Sequence, residues 1–250
     1  MSESTLPTIP ATEPADRPVI AVLGGTGKEG GGLAFRWAHA GYRVLLGSRD
    51  AARAEQAAAQ LAEALIAARV AGGLADQPAV RIEGLAHRDA VAQASIVVLA
   101  VPWAVQQTLA GEVADLLAGR ILVDVTVPLV PPKVDRVQLP EGGSAVEALA
   151  RRLGPDVRVV SAFQNISATH LRDLGHGIEC DVLVCGDDAD AREVVVSLAH
   201  DAGLAAWHAG PLANSVGTEA LTSLLIAINK RYKVPGSGIR ITGVPRDRSR

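Results

Sequence analysis

The stretch that most constrains this chain is VIAVLGGTGKEGGGLAFRWAHAGYRVLLGSRDAAR, residues 19–53, which reads as strand, glycine-rich loop, helix and second strand in immediate succession. Residues 19–23 form an uninterrupted apolar run, the pattern of a strand buried on both faces, and the run stops at Gly24, Gly25, Thr26, Gly27, Lys28, Glu29 and Gly30. Gly25, Gly27 and Gly30 satisfy the spacing G-x-G-x-x-G. In such a loop the first glycine permits a tight turn, the second lets backbone approach a pyrophosphate, and the third brings the following helix close to the sheet. The unpaired N–H groups at the helix start then face the anion. The spacing alone is weak, but here a strand precedes it and a helix follows, so the segment is read as a dinucleotide site.

The end of the second strand, residues 43–46, decides between dinucleotides. A site for NAD places Asp or Glu there to hold the ribose 2′-hydroxyl, whereas this chain has Gly47, Ser48 and Arg49. A carboxylate would repel a 2′-phosphate; a serine hydroxyl and a planar guanidinium bond it. Arg53 follows four residues after Arg49, on a helix expected from Asp50. Cations are disfavoured at a helix N-terminus unless an anion sits there. NADP(H) is therefore the expected cofactor.

The chain has 250 residues, enough for one large or two modest domains. Only 3% of residues are aromatic and the formal net charge is −3, so neither stacking platforms nor a basic surface for nucleic acid is available. No apolar run is long enough to span a membrane; residues 96–105 come nearest and contain Pro102. Residues 1–17 are acidic and proline-rich without an apolar stretch, and are read as a disordered extension rather than a signal peptide. Cys180 and Cys185, five apart in one strand pattern, point to opposite faces and cannot pair, which fits buried thiols in a cytoplasmic protein. His170 and His176 are the nearest histidine pair and no cysteine or acidic cluster accompanies them, so no metal site is assigned.

Alternation continues downstream: a helix over 51–70, strands over 81–85, 96–101 and 121–125, a helix over 144–153 and a strand over 158–162. Strands at 181–185 and 204–208 then flank a helix at 190–202, and a last helix at 218–232 carries Leu221, Leu224, Leu225 and Ile228 in one apolar stripe. This predicts an α/β protein with a Rossmann-type parallel sheet and a smaller C-terminal α/β domain. The boundaries are 1–17 for the extension, 18–155 for the NADP-binding domain and 156–250 for the small domain. Ligands in such sheets cross the carboxyl ends of the strands, which places Val101, Pro102, Trp103 and Val105 beside the nicotinamide half.

Several segments resemble the NADPH-dependent reductases of the 5-deazaflavin coenzyme F420. The matching segments are LGGTGKEG at 23–30, GSR at 47–49, VPW at 101–103, PLVP at 128–131, VVSA at 159–162, VCGDD at 184–188, AGPLANS at 209–215 and GSGI at 236–239. The resemblance implies a deazaflavin lying in a cleft between the two domains, against the nicotinamide. Carried over by position, it implies NADP contacts from Thr26, Gly27, Lys28, Glu29, Ser48, Arg49, Arg53, Val101, Val105, Val130, Ala168 and Ser237. It implies deazaflavin contacts from Pro102, Gln164, Asn165, Ile166, Ser167, Leu212, Asn214 and Ser215. Hydride would pass directly between cofactors, with no catalytic protein nucleophile, and the chain would be a homodimer through its last helix.

One segment departs from the pattern. Where archaeal members read His-Thr-Ile-Pro-Ala, this chain has Gln164, Asn165, Ile166, Ser167 and Ala168. Neutral amides replace an imidazole, and their N–H groups are expected to stabilise charge on the acceptor. Two alternatives stay open: NADPH-dependent reduction of a flavin, pterin or imine, and a non-catalytic NADP-binding redox sensor.

Overall fold

In the computed structural model, which describes residues 17–74 and 77–244, the central strand β1 (Ile20–Leu23) pairs in parallel with β2 (Arg43–Ser48) on one side and β4 (Ile96–Leu99) on the other. Every residue of β1 is buried, as its unbroken apolar run requires. Successive side chains go to opposite faces. Ile20, Val22, Val44, Leu46, Ile96 and Val98 enter one apolar layer, while Ala21, Leu23, Leu45, Val97 and Leu99 enter the other.

Helix α1 (Lys28–His39) packs on the first layer with α2 (Ala51–Ala71), and β3 (Arg81–Ala86) joins β2 at the edge. Two helices that lack a clear sequence signature follow, α3 (His87–Gln93) and α4 (Trp103–Glu112), and both contribute to the second layer. Strand β5 (Ile121–Asp124), helix α5 (Ala145–Leu153) and strand β6 (Arg158–Ser161) extend the parallel sheet. Then come β7 (Val182–Gly186), α6 (Ala189–Asp201), β8 (Ala206–His208) and α7 (Ser215–Tyr232).

Among the described residues the sheet has eight strands in the order β3-β2-β1-β4-β5-β6-β7-β8, continuous across position 155. Its first six positions follow the Rossmann order. The strands expected in a smaller C-terminal domain join this same sheet: β7 pairs antiparallel with β6, and β8 lies parallel to β7. The connection from β6 to β7 carries only a short 3-10 turn, Ala168–His170, and no crossover helix returns the chain to the starting edge.

The few aromatic residues fasten the two halves together. Trp37 of α1 donates from Nε1 to the Leu198 carbonyl of α6 at 3.0 Å, and its ring meets Phe163 edge-on at 5.8 Å. Arg17, the last residue of the expected extension, pairs with Asp201 at 2.7 Å and lies over the Tyr42 ring. Residues 1–16 and the basic tail 246–250 lie outside the described residues. No described helix is long and apolar enough to cross a membrane.

Candidate functional site

The loop after β1 is shaped by two glycines. Gly24 has φ +92°, and a Cβ there would lie 2.1 Å from the Ala100 carbonyl oxygen, so the tight turn falls one residue earlier than the G-x-G-x-x-G spacing suggests. A Cβ on Gly30 would lie 2.8 Å from the Gly24 carbonyl oxygen, which is what lets α1 start directly against the loop. No side chain caps α1 at Gly27, so the first-turn N–H groups of Lys28, Glu29 and Gly30 remain open to an anion. Glu29 is only partly exposed, and burial pushes its carboxyl up to about 8. No hydrogen bond to it occurs among the described residues.

A cleft of about 270 Å³ opens beside this loop, at the carboxyl ends of β1, β2 and β4. It brings together Thr26, Ser48, Arg49, Arg53, Val101 and Val105 from six of the expected cofactor positions. Asp50 caps α2 by accepting from the Arg53 N–H at 3.2 Å, so Arg49 precedes the helix and Arg53 lies in its first turn. No acidic residue occupies that first turn. The cleft also holds His87, Thr108 and Glu112, which sequence reasoning missed because α3 and α4 were not delimited. His87 Nδ1 stands 3.9 Å from Glu112 Oε2; burial, opposed by Glu112 and aided by Arg49, lowers the imidazole below its ordinary value.

Gly27, Lys28, Glu29, Val130, Ala168 and Ser237 do not line this cleft. Ser237 lies next to the Gln164–Ala168 segment: its N–H donates to Asn229 Oδ1 at 2.7 Å, and the neighbouring Gly236 abuts Ser167. Val130 is 38% exposed on the apolar lip after β5, and Pro102 is exposed at the start of α4.

The acceptor segment is built differently from expectation. Phe163 takes a left-handed φ of 72°, unusual for a large side chain, which drives its ring into the core and folds the following residues back under the sheet edge. Gln164 is consequently buried, and its Nε2 donates to the Asp124 carbonyl and to Ser161 Oγ, both at 2.9 Å. Both amide hydrogens are thus engaged inward, and Oε1 is left buried without a protein partner. Asn165 and Ile166 are likewise buried, whereas Ser167 is partly exposed. The Gln164 carbonyl accepts from Thr222 Oγ1 of α7 at 2.9 Å, tying the segment to the last helix.

Beneath Gln164 lies Asp124, fully buried at the end of β5, accepting from the Thr126 N–H at 2.8 Å and from Gln106 Nε2. Burial raises its carboxyl. A lone acid closing the apolar run ILVD was the available signal for it. Of the remaining positions, Leu212 is buried with its N–H on Asp187 Oδ1, Asn214 is exposed and donates to the Ala209 carbonyl, and Ser215 Oγ meets Ser144 Oγ at 2.6 Å.

The family described as NADP oxidoreductase, coenzyme F420-dependent, matches residues 19–128. An F420-dependent NADP reductase of Methanothermobacter thermautotrophicus is 40% identical over 232 residues, covering 90% of this chain and 95% of its own. One from Methanocaldococcus jannaschii is 39% identical over 229 residues, covering 90% and 98%. Among solved structures, a hypothetical protein from Sinorhizobium meliloti superposes with a TM-score of 0.59 at 22% identity, covering 82% of this chain and 89% of its own, a likeness of fold alone.

Proposed function

Because this chain belongs to the family of coenzyme F420-dependent NADP oxidoreductases, we propose that it is an NADPH-dependent F420 reductase, passing a hydride between NADP(H) and the 5-deazaflavin coenzyme F420. The observation that carries this reading is the meeting of Ser48, Arg49 and Arg53 in one cleft with the glycine loop, without a carboxylate at the end of β2.

The residues present fit the dinucleotide. The open N–H groups of α1 suit a pyrophosphate, and the space a Cβ would fill at Gly30 keeps the loop low enough to receive it. The Arg49 guanidinium and the Ser48 hydroxyl suit a 2′-phosphate. When bound, the two cofactors supply the hydride donor and acceptor. The chain's part is to bind, orient and exclude water, bringing reacting atoms to about 3–3.5 Å. Phe163, Gln164, Ser161 and Asp124 hold the floor of the acceptor side as a fixed, buried network rather than as donors facing the acceptor.

The finer parts of the reading rest on other features. Residues 18–155 hold NADP(H) and contribute Pro102 to the acceptor side, and 156–250 complete the acceptor cleft, through Ala168 and Ser237 toward the nicotinamide and through the segment Gln164 to Ser167, with Gln164 as its buried support, and Leu212, Asn214 and Ser215 toward the deazaflavin. The chain acts as a homodimer. Its support is α7, where Leu224 and Ile228 are 50% and 42% exposed while Leu225 alone of the stripe's four leucine and isoleucine positions is fully packed. A cytoplasmic location is supported by two buried free thiols, Cys180 and Cys185, both of which burial makes harder to ionise.

The test is to add the protein to NADPH and oxidised F420 and follow the visible band of the deazaflavin, with a riboflavin-type flavin in parallel. Bleaching of F420 and not of the flavin is expected. Reduction of the flavin alone would move the acceptor outside this reading.

A further inference from the structure

Between the acceptor segment and β7 the chain makes a loop that the cofactor chemistry does not use. The Asp173 N–H donates to the His170 carbonyl at 3.1 Å and the His176 N–H to the Asp173 carbonyl at 3.3 Å, two consecutive turns of period three. Side chains three apart in such turns stand in one column. His170, Asp173 and His176 therefore come together: their potential ligand atoms all lie within 4.8 Å of one another, and the two imidazoles stack at 4.0 Å between centroids, 20° apart.

The same three residues are fixed from behind. Arg36 of α1, 7% exposed, sends Nη2 to the carbonyls of His170, Asp173 and His176 at 3.2, 2.9 and 3.4 Å, and Nε to the Leu171 carbonyl at 2.8 Å. One buried guanidinium thus holds the three backbone positions in register while their side chains meet at the surface. Its N–H groups are engaged by carbonyls behind the loop, and its charge also attracts the Asp173 carboxylate. Arg172 reaches toward Gly31 in the first turn of α1. Asp173 Oδ1 accepts from the Gly175 N–H at 3.1 Å, which orients the carboxylate.

We propose that His170, Asp173 and His176 form a binding site for one divalent transition-metal ion, with Zn²⁺ as the best match. Two imidazole nitrogens and a carboxylate oxygen suit Zn²⁺ and its first-row neighbours, whereas Mg²⁺ and Ca²⁺ take oxygen ligands. Ligand distances of about 2.0–2.2 Å put tetrahedral donors roughly 3.3–3.6 Å apart. Partly or fully exposed side chains on a fixed backbone reach that spacing by rotation. Solvent fills the remaining coordination. The site's effect is to clamp the loop that follows the Gln164–Ala168 segment and that leans, through Leu171 and Arg172, on Gly32 and Gly31 of the dinucleotide-binding helix.

The test uses untagged protein freed of metal by a chelator and reads binding and stability rather than turnover, so its outcome is independent of the function assigned above. Titration with Zn²⁺ against a chromophoric chelator is expected to show one ion per chain. Zn²⁺ at a hundred times its dissociation constant is expected to raise Tm by about 5–10 °C, while Mg²⁺ and Ca²⁺ leave it unchanged. Co²⁺ in place of Zn²⁺ should develop visible ligand-field bands. His170→Ala and His176→Ala should each weaken binding at least about tenfold, and Asp173→Asn, which preserves the side chain's shape, should weaken it with the fold intact. Absence of stoichiometric uptake, or uptake unchanged in the two histidine variants, overturns the proposal.

Discussion

In the proposed cofactor site Arg49 and Glu29 would act in opposite senses. In the proposed site Arg49 faces the 2′-phosphate, and its replacement by alanine should weaken NADPH binding by roughly 1.5–3 kcal/mol, the range for hydrogen bonds to charged groups, leaving NADH binding nearly unchanged. Equilibrium titration by cofactor fluorescence checks this; an equal loss for both cofactors would place Arg49 elsewhere. Glu29 sits in the first turn of α1, and its carboxyl is pushed by burial up to about 8. A pyrophosphate bound at the start of α1, as proposed, would disfavour the carboxylate further, so binding would take up a proton once pH exceeds the free group's value. NADPH affinity should therefore fall as pH rises from about 7 to 9, by at most about tenfold per unit, and Glu29→Gln should flatten the curve. A native curve as flat as the variant's would remove Glu29 from the pyrophosphate site. The place of Arg49 in the cleft was legible because strand end, cation and missing carboxylate lie within a few residues. The inward turn of Gln164 was not, since it depends on Phe163's left-handed backbone and on an Asp124 carbonyl forty residues away.

At the scale of elements, hydrophobic pattern was enough to find the eight described strands, most readily the central ones, because a run buried on both faces is a local signal. It was not enough for α3 and α4, which are short and weakly patterned, and so His87, Thr108 and Glu112 went unnoticed as cleft residues. Nor does it show how helices are anchored. Ser144 caps α5 by accepting from the Glu147 N–H at 3.1 Å, and Glu219 of α7, 1% exposed, completes the cap by accepting from Ser144 Oγ and from the N–H groups of Ala145 and Val146. Burial raises its carboxyl, opposed by those same hydrogen bonds. Glu219→Ala leaves the α5 donors buried and unpaired and should cost about 1.5–3 kcal/mol in chemical denaturation, with Glu219→Gln losing less. An unchanged denaturation midpoint in the alanine variant would show that α5 does not depend on α7 for its cap.

For the whole molecule, the Rossmann order of the first six strands was legible from alternation of strand and helix, whereas the reversal at β7 was not. An apolar strand reads alike in either direction, and only the absence of a helical crossover between β6 and β7 sets its sense. The same limit applies to assembly: a stripe on α7 is visible in sequence, but which of its residues pack within the chain is a tertiary matter. With Leu224 and Ile228 exposed, Leu224→Glu should shift the protein from dimer to monomer in sedimentation while leaving the fold intact. A native protein that sediments as a monomer at micromolar concentration would refute the homodimer.

The direct passage of hydride is the claim on which the functional account stands. Single turnover with NADPH carrying deuterium at both hydrogens of nicotinamide C4, in ordinary water, tests it most directly. The account predicts one deuterium per reduced F420, located at deazaflavin C5, and none at that carbon when unlabelled NADPH reacts in D₂O. Reduced F420 whose C5 hydrogen comes from solvent, or F420 left oxidised while NADPH is consumed, would contradict it.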